Sequence, residues 1–181
     1  MKLQTFIRIS DDVHDTTKVE ITFMSVNDVQ EAKAKIGAWM KGRDLFTQEV
    51  DSEDNDFQLN GKTATQVGIT ILHPKNLFRS IIVISKIELD PKHKEALNQL
   101  HADEKADFIW NLKRDLIFAP ASFIMEPDGN NLESIQFGIE ISFDELTDGK
   151  LIEAVDNVCR PLIWTAWVFL RKFGSPVEEV H

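Results

Sequence analysis

Apolar and polar residues alternate at two different periods along the chain, and these periods predict where strands and helices lie. Residues 1–24 contain two short runs in which apolar and polar residues alternate, separated by the polar stretch DDVHDTT. Alternation with a period of two is typical of a strand with one buried face. The pattern therefore predicts an N-terminal β-hairpin over residues 1–24.

A helical period begins near residue 27 and continues to about residue 41. Asn27 can cap the helix by accepting a hydrogen bond from a free backbone N–H, and Gly42 can end it by adopting a left-handed conformation. This spacing predicts a helix with one apolar face. The face consists of Val29, Ala32, Ile36, Trp39 and Met40.

The region from Leu45 to Leu89 has the pattern of β-strands, and we predict three of them. Asn60–Gly61 is a pair that favours a tight turn, and residues 73–76 (HPKN) predict another. The run Ile81–Ile84 is apolar on both faces. A strand of this kind is expected near the centre of a sheet, covered by helices on at least one side.

Two helices and a second hairpin are predicted next. Asp90 and Pro91 form a helix start, because a capping carboxylate precedes a proline that suits the first helical position. The helical pattern runs to about Phe118, with a break near His101. Residues 127–130 then supply a turn. The strand that follows carries apolar residues at alternate positions: Ile135, Phe137, Ile139, Ile141 and Phe143.

The last predicted element is a long helix over about residues 147–173. Thr147 is its candidate cap, and Gly174 marks its end. Pro161 lies inside it and is expected to kink or divide it, because proline lacks the backbone N–H that a helix needs. The helix contains PLIWTAWVFL, the most apolar ten-residue stretch of the chain. Spanning a membrane takes about 20 apolar residues, so we predict no membrane span.

On a helical wheel this last helix has a complete apolar stripe and two tryptophans outside it. Trp164 and Trp167 fall on the polar side, beside Arg160 and Arg171, where their indole rings require a cover. Three alternatives remain for what covers these rings: the N-terminal hairpin of the same chain, a second copy of the chain, or a small molecule or peptide in a groove. Arg160, Trp164, Trp167 and Arg171 are therefore the candidate interface or groove residues. The apolar stripe consists of Leu151, Val155, Val158, Leu162, Ala166, Phe169 and Phe173.

Composition and charge narrow the classes of partner. The chain has 181 residues, of which 43% are hydrophobic, and a formal net charge of −10. A surface this acidic repels phosphate backbones and anionic lipids, so we predict neither nucleic-acid nor membrane binding. A single cysteine, and the lack of an apolar leader in MKLQTFIRIS, predict a reducing, cytoplasmic location.

The search for catalytic and metal-binding patterns yields no constellation and no predicted cofactor. The five histidines lack metal-binding spacing, and we expect turn, cap or surface roles for them. The acidic loop DSEDND does not follow the calcium-binding EF-hand pattern. Asp103 and Asp107 are one helical turn apart, as are Asp144 and Asp148. The helix dipole explains such pairs near helix starts, and acid–base chemistry is the alternative. Cys159 is expected to be buried.

After the N-terminal hairpin, the predicted order is one helix, three strands, two helices, two strands and a long helix. This order and the segment ISFDELTDGKLIEAVDNV resemble the type III secretion chaperone-like fold. The resemblance extends to uncharacterised archaeal and bacterial families of that fold, including the YbjN-like group, and covers residues 27–173. It implies a protein that dimerises and holds extended partner segments without catalysis, as the secretion chaperones do.

We therefore predict a single α+β domain over residues 1–181, with a twisted antiparallel sheet and packed helices. The hairpin, residues 1–24, is added to a chaperone-like core, residues 27–173. The predicted function is that of a non-enzymatic binding or chaperone-like protein. It acts as a homodimer through its C-terminal helix, with a protein or peptide as a further partner. The alternative is an enzyme of unknown class with a carboxylate-lined cleft.

Overall fold

The computed structural model describes the backbone of residues 6–9, 19–22, 26–127 and 131–175, and the side chains of 28–127 and 131–175. The elements are β1 (Phe6–Ile9), β2 (Val19–Thr22), α1 (Val26–Gly42), β3 (Phe46–Glu49), β4 (Asn55–Lys62), β5 (Gly68–Pro74), β6 (Ser80–Glu88), α2 (Pro91–Gln99), α3 (Ala102–Leu116), β7 (Ser122–Glu126), β8 (Ser134–Ser142) and α4 (Asp148–Phe173). β3 to β8 form one antiparallel sheet in the order β3-β4-β5-β6-β8-β7, and β1 and β2 form a separate antiparallel hairpin. The predicted α+β class is confirmed.

The core lies between one face of the six-stranded sheet and the helices α1 and α4. α4 lies across the central strands β6 and β8, while α1 packs on β3 and β4. Alternate residues of each strand point toward these helices, because strand side chains alternate between the two faces of a sheet. One apolar cluster joins strand and helix residues, among them Ile71, Ile81, Val83, Ile135, Phe137, Leu151, Val155, Val158 and Leu162.

The strand β6 occupies the central position that its pattern predicts. β6 lies between β5 and β8, and its Ile81 and Val83 are fully buried on the face that α4 covers. On the other face of the same strand, Ile82 and Ile84 are half-buried. The alternation predicted for β8 is also present. Its buried or half-buried residues on the helix side are Ile135, Phe137, Ile139 and Ile141.

The structure has four strands, β3 to β6, where three were predicted, and the predicted turn at Asn60–Gly61 is wrong. Both residues lie inside β4, which pairs with β3 on one side and β5 on the other. A Cβ atom on Gly61 would lie 2.2 Å from the carbonyl oxygen of Leu45. Glycine is therefore needed here for the close approach of another backbone segment. The chain reverses instead through residues 63–67, where Gln66 has a φ of 63°.

The ends of α1 differ from the prediction by one or two residues. The helix begins at Val26, so Asn27 lies in its first turn and does not cap it. It ends at Gly42, as expected, but the left-handed residue is Asp44, with a φ of 56°. Aspartate adopts this conformation more readily than most residues do, because its short side chain can bond locally.

The predicted helical pair is confirmed, including its break. The Asp90 side chain caps α2 by accepting a hydrogen bond from the Lys92 N–H at 2.8 Å, and Pro91 occupies the first helical turn. α3 follows after a break at His101, which sits at its N-cap position. β7 and β8 then form the predicted hairpin; its turn residues 128–130 lie outside the described residues.

α4 is one continuous helix, so Pro161 does not divide it. Thr147 caps the helix by accepting a backbone N–H hydrogen bond at 3.2 Å, and Gly174 ends it with a φ of 82°. Pro161 is buried, and its carbonyl accepts a hydrogen bond from the Thr165 hydroxyl at 2.8 Å. Packing on both sides of the proline offsets the hydrogen bond that proline removes. No helix in the described ranges is long and apolar enough to cross a membrane.

The close approach at Gly61 leads to a stability prediction. Gly61→Ala is expected to lower the free energy of unfolding by about 1–3 kcal/mol, because the new Cβ collides with the backbone of Leu45. Urea denaturation followed by circular dichroism measures this change. Gly68→Ala is the matched control, since nothing lies within 4 Å of the Cβ position there. Equal stability of the two variants would contradict the packing role of Gly61.

Candidate interaction surface

Helix α4 has a buried face and an outer face, and the buried face determines which residues point outward. Its buried residues include Leu151, Val155, Val158, Leu162 and Phe169. Successive residues of an α-helix are rotated by about 100°. One line of side chains lies on the side of α4 opposite these buried residues, and we name this line the outer seam. The outer seam consists of Glu153, Asp156, Arg160, Ile163, Trp164, Trp167 and Arg171.

The four residues singled out from the sequence all belong to this outer seam. Trp167 is 65% exposed, which is unusual for an indole, and Trp164 is half-buried against the edge of the core. Arg160 and Arg171 are exposed. The described part of the chain therefore leaves one tryptophan uncovered and the other partly covered. The hairpin that the sequence offers as a cover has no described side chains, so it lies outside this comparison.

Two apolar grooves flank the outer seam. The first, which we name the α3 groove, has a volume of about 450 Å³ and separates α4 from the end of α3. Phe118 on its far wall is 85% exposed. Its lining includes Leu116, Phe118, Pro120, Pro161 and Trp164.

The second groove, which we name the loop groove, has a volume of about 430 Å³ and lies between α4 and the loop after β4. Asp156 and Arg160 stand at its rim, and Arg160 also lines the α3 groove. Arg160 is therefore the ridge between the two grooves. The apolar lining of the loop groove includes Leu45, Ile152, Val155, Cys159 and Ile163.

Helix α3 carries exposed apolar residues that the sequence analysis missed. Trp110 is 67% exposed, and Ile117, just after the helix, is 70% exposed. The buried residues of α3 are Lys105, Ile109, Leu112 and Leu116. The sequence does contain a signal for Trp110, because a helical wheel places it more than 90° from the centre of that buried stripe.

The aspartate pair near the start of α4, Asp144 and Asp148, is engaged in ion pairs. Arg43 bonds both carboxylate oxygens of Asp148, at 3.0 and 2.6 Å, and these bonds lower the pKa of Asp148. Arg79 bonds Asp144 at 2.8 Å. No group of three or more His, Cys, Asp or Glu residues in the described chain is arranged to hold a metal ion. None of these contacts favours the alternative of a carboxylate-lined catalytic cleft.

Among the described histidines, His73 and His93 are buried, and for them the predicted turn, cap or surface role is wrong. His73 Nδ1 lies 2.9 Å from an Asp56 carboxylate oxygen, and its ring packs beside Phe57 and Phe143. The ring of His93 donates a hydrogen bond to the Gly174 carbonyl at 2.9 Å. This bond joins α2 to the end of α4. Long-range partners of this kind leave no local pattern in a sequence.

Comparison with known proteins places the chain in a family. Residues 32–169 match the model of a family described as "Uncharacterized conserved protein (DUF2299)". The chain belongs to the DUF2299 family. No curated protein matches this DUF2299 chain in sequence.

Solved structures resemble this DUF2299 protein in fold. An uncharacterized protein from Methanothermobacter thermautotrophicus is 24% identical, with a TM-score of 0.75, over 79% of this chain and 99% of that one. A chain of the HopA1-SchA chaperone-effector complex is 9% identical, with a TM-score of 0.46, over 83% and 98%. YbjN from E. coli is 11% identical, with a TM-score of 0.40, over 82% and 90%. The predicted membership of an uncharacterised family is confirmed, and the M. thermautotrophicus protein shares the fold of this chain.

Cys159, at the base of the loop groove, is buried as predicted. Burial raises the pKa of its thiol to about 11, with a smaller contribution from the nearby negative charge of Asp156. The thiol therefore stays protonated and unreactive at neutral pH. A thiol that remains protonated is a poor nucleophile, because the thiolate is the reactive form.

The raised pKa of Cys159 predicts a loss of stability in alkali. An unfolded cysteine ionises near pH 8.5–9, whereas the folded one stays neutral until about pH 11. The contribution of this thiol to stability is therefore complete below about pH 8.5 and disappears as the pH rises to about 11. Two pKa units correspond to roughly 2–3 kcal/mol.

The test compares the native chain with Cys159→Ala by urea denaturation from neutral to strongly alkaline pH. The stability of the native chain is expected to fall more steeply than that of the variant above about pH 9. Lysine titration affects both proteins equally. Parallel pH profiles would show that the thiol is not responsible.

Proposed function

We propose that this DUF2299 protein is a non-enzymatic binding protein that acts as a homodimer through the outer seam of α4. In the dimer, apolar residues at the end of α3, such as Phe118, remain available to a protein or peptide partner. The single observation that carries the proposal is the 65% exposure of Trp167 next to the half-buried Trp164, between two apolar grooves. A reducing, cytoplasmic location is part of the same proposal and fits a lone buried cysteine.

The magnitude of tryptophan burial favours a symmetric dimer. A tryptophan buries about 150–250 Å², so covering the exposed part of Trp167 contributes roughly 2–4 kcal/mol at ~25 cal/mol per Å². Association costs at least about 4 kcal/mol in lost freedom of motion. One Trp167 alone does not exceed that cost. A two-fold symmetric dimer buries Trp167 twice, and it adds both copies of Trp164 and Ile163.

Charge also favours a second copy as the occupant of the seam. Arg160 and Arg171 make the seam locally basic at its centre and C-terminal end, in a chain with a net charge of −10. An acidic molecule complements these arginines, and a second copy of the chain is such a molecule. The other end of the seam carries Asp156, an acidic residue that complements an arginine of that copy.

Trp167→Lys is expected to convert the dimer into a monomer at micromolar concentration, because it removes apolar area and places two further positive charges in the interface. Sedimentation equilibrium measures the mass, which is expected to fall from twice 20.7 kDa to 20.7 kDa. Trp110→Lys is the matched control, since Trp110 is 67% exposed on α3, outside the seam. This control is expected to remain dimeric.

Two results would overturn the proposal. If the native chain is monomeric throughout the micromolar range, the seam is not a dimer interface. If the difference in acrylamide quenching between the native chain and Trp167→Phe also shows that Trp167 is shielded, the N-terminal hairpin, residues 1–24, becomes the candidate cover. Dissociation of both variants to the same extent would show that the effect of Trp167→Lys is not specific to α4.

A further inference from the structure

We infer that the two copies pair through antiparallel α4 helices, with the two-fold axis passing between Ile163 and Trp164. This inference rests on the proposed homodimer and specifies its register. In that register, Arg160 of each copy faces Trp167 of the other, and Asp156 faces Arg171 of the other. Every contact away from the axis is therefore made twice.

The spacing of the outer seam is symmetric about the proposed axis. Arg160 precedes Ile163 by three residues, and Trp167 follows Trp164 by three. Asp156 precedes Arg160 by four residues, and Arg171 follows Trp167 by four. Intervals of three and four keep residues on one face of a helix. Two antiparallel copies therefore bring the seam of each helix against the seam of the other.

The rotation of α4 about its own axis points this symmetric line outward. At about 100° per residue, Arg160 and Trp167 lie within about 20° of each other around the helix. Both lie almost opposite the centre of the buried stripe that includes Val158, Leu162 and Phe169. Ile163 lies on one side of this line and Trp164 on the other, at similar angles around the helix. A second helix approaching from solvent therefore meets the seam along its midline.

The order of charges along the seam selects the antiparallel arrangement. The first half carries Glu153 and Asp156, and the last residue is Arg171. Antiparallel helices bring acid against base at both ends, and they place the Arg160 guanidinium beside the indole ring of Trp167, a favourable cation–π pair. Parallel helices would place each residue opposite its own copy. Asp156 would then oppose Asp156, and Arg160 would oppose Arg160, which is repulsive.

The charged groups required for this pairing are not engaged within the described chain. Among residues 28–127 and 131–175, no ion pair involves Asp156, Arg160 or Arg171. Glu153, by contrast, pairs with Lys150 at 2.9 Å. The three free charges are those that the register places in intermolecular contacts. Asp156 and Arg171 are fifteen residues apart, so the contact extends over about 22 Å of helix at 1.5 Å per residue.

A charge-reversal cycle tests the register. Asp156→Arg and Arg171→Asp are each expected to raise the dimer dissociation constant by about tenfold or more, because each change places like charges together at two symmetric contacts. The double variant Asp156→Arg/Arg171→Asp restores both pairs with the charges exchanged. Its dissociation constant is expected to return to within about threefold of the native value. Sedimentation equilibrium measures all four proteins.

The controls separate the register from net charge and from misfolding. Lys172→Asp changes the net charge by the same amount as Arg171→Asp, but Lys172 lies on a different side of the helix from the seam. It is expected to leave the dissociation constant within about twofold of the native value. Circular dichroism checks that each variant is folded. If a reversal prevents folding, the neutral substitutions Asp156→Asn and Arg171→Gln replace it. The neutral double variant is then expected to be no weaker than either single one, because the same pair is lost only once, and additive losses would contradict the register.

The outcomes distinguish the register from the dimer itself. If the native chain is a dimer and the single reversals have no effect, or if the charge-reversed double variant stays as weak as the single reversals, the antiparallel register is wrong and the homodimer stands. A monomeric native chain removes both proposals. Weakening by both single reversals, together with recovery in the double variant, supports the pairing of Asp156 with Arg171.

Discussion

The packing of α4 across β6 and β8 is the interaction on which the rest of the structure depends. It covers the two central strands and contributes a long row of buried side chains, including Leu151, Val158 and Phe169, to the core. Apolar burial of this extent is the main favourable term in folding. The same packing sets the rotation of the helix about its axis. Because core packing determines which side of the helix is buried, it also determines which residues face outward and can contact a partner.

Contacts at both ends of α4 reinforce that rotation. Arg43, just after α1, bonds the Asp148 carboxylate in a bidentate manner at the start of the helix. At the other end, the His93 ring bonds the Gly174 carbonyl, and Phe169 and Phe173 pack around the ring of Phe108. The outer seam therefore lies on a helix that is held along its length. A surface held in this way is pre-organised for binding, which lowers the entropy cost of forming a complex.

Local patterns predicted those features that local chemistry determines. The alternation in β8, the cap at Asp90 and the tryptophans outside the stripe of α4 were all visible in the sequence, because each depends on a repeating period or a neighbouring residue. The turn predicted at Asn60–Gly61 is wrong, since the reason for its glycine is the backbone of Leu45, just before a neighbouring strand. The buried role of His73 was missed for a similar reason. Its partner, Asp56, belongs to another strand and comes close only after folding.

The strand order has a consequence for how the protein folds during synthesis. β6 is completed at Glu88, yet its neighbour β8 begins only at Ser134, and the helix that covers both strands begins later still. Until those segments leave the ribosome, the apolar faces of β6 have neither their second strand partner nor their covering helix. The nascent chain thus passes through a stage with an open sheet edge and exposed isoleucines, a state prone to aggregation. The core is completed only in the last part of translation, and a chain that is interrupted before α4 cannot complete it.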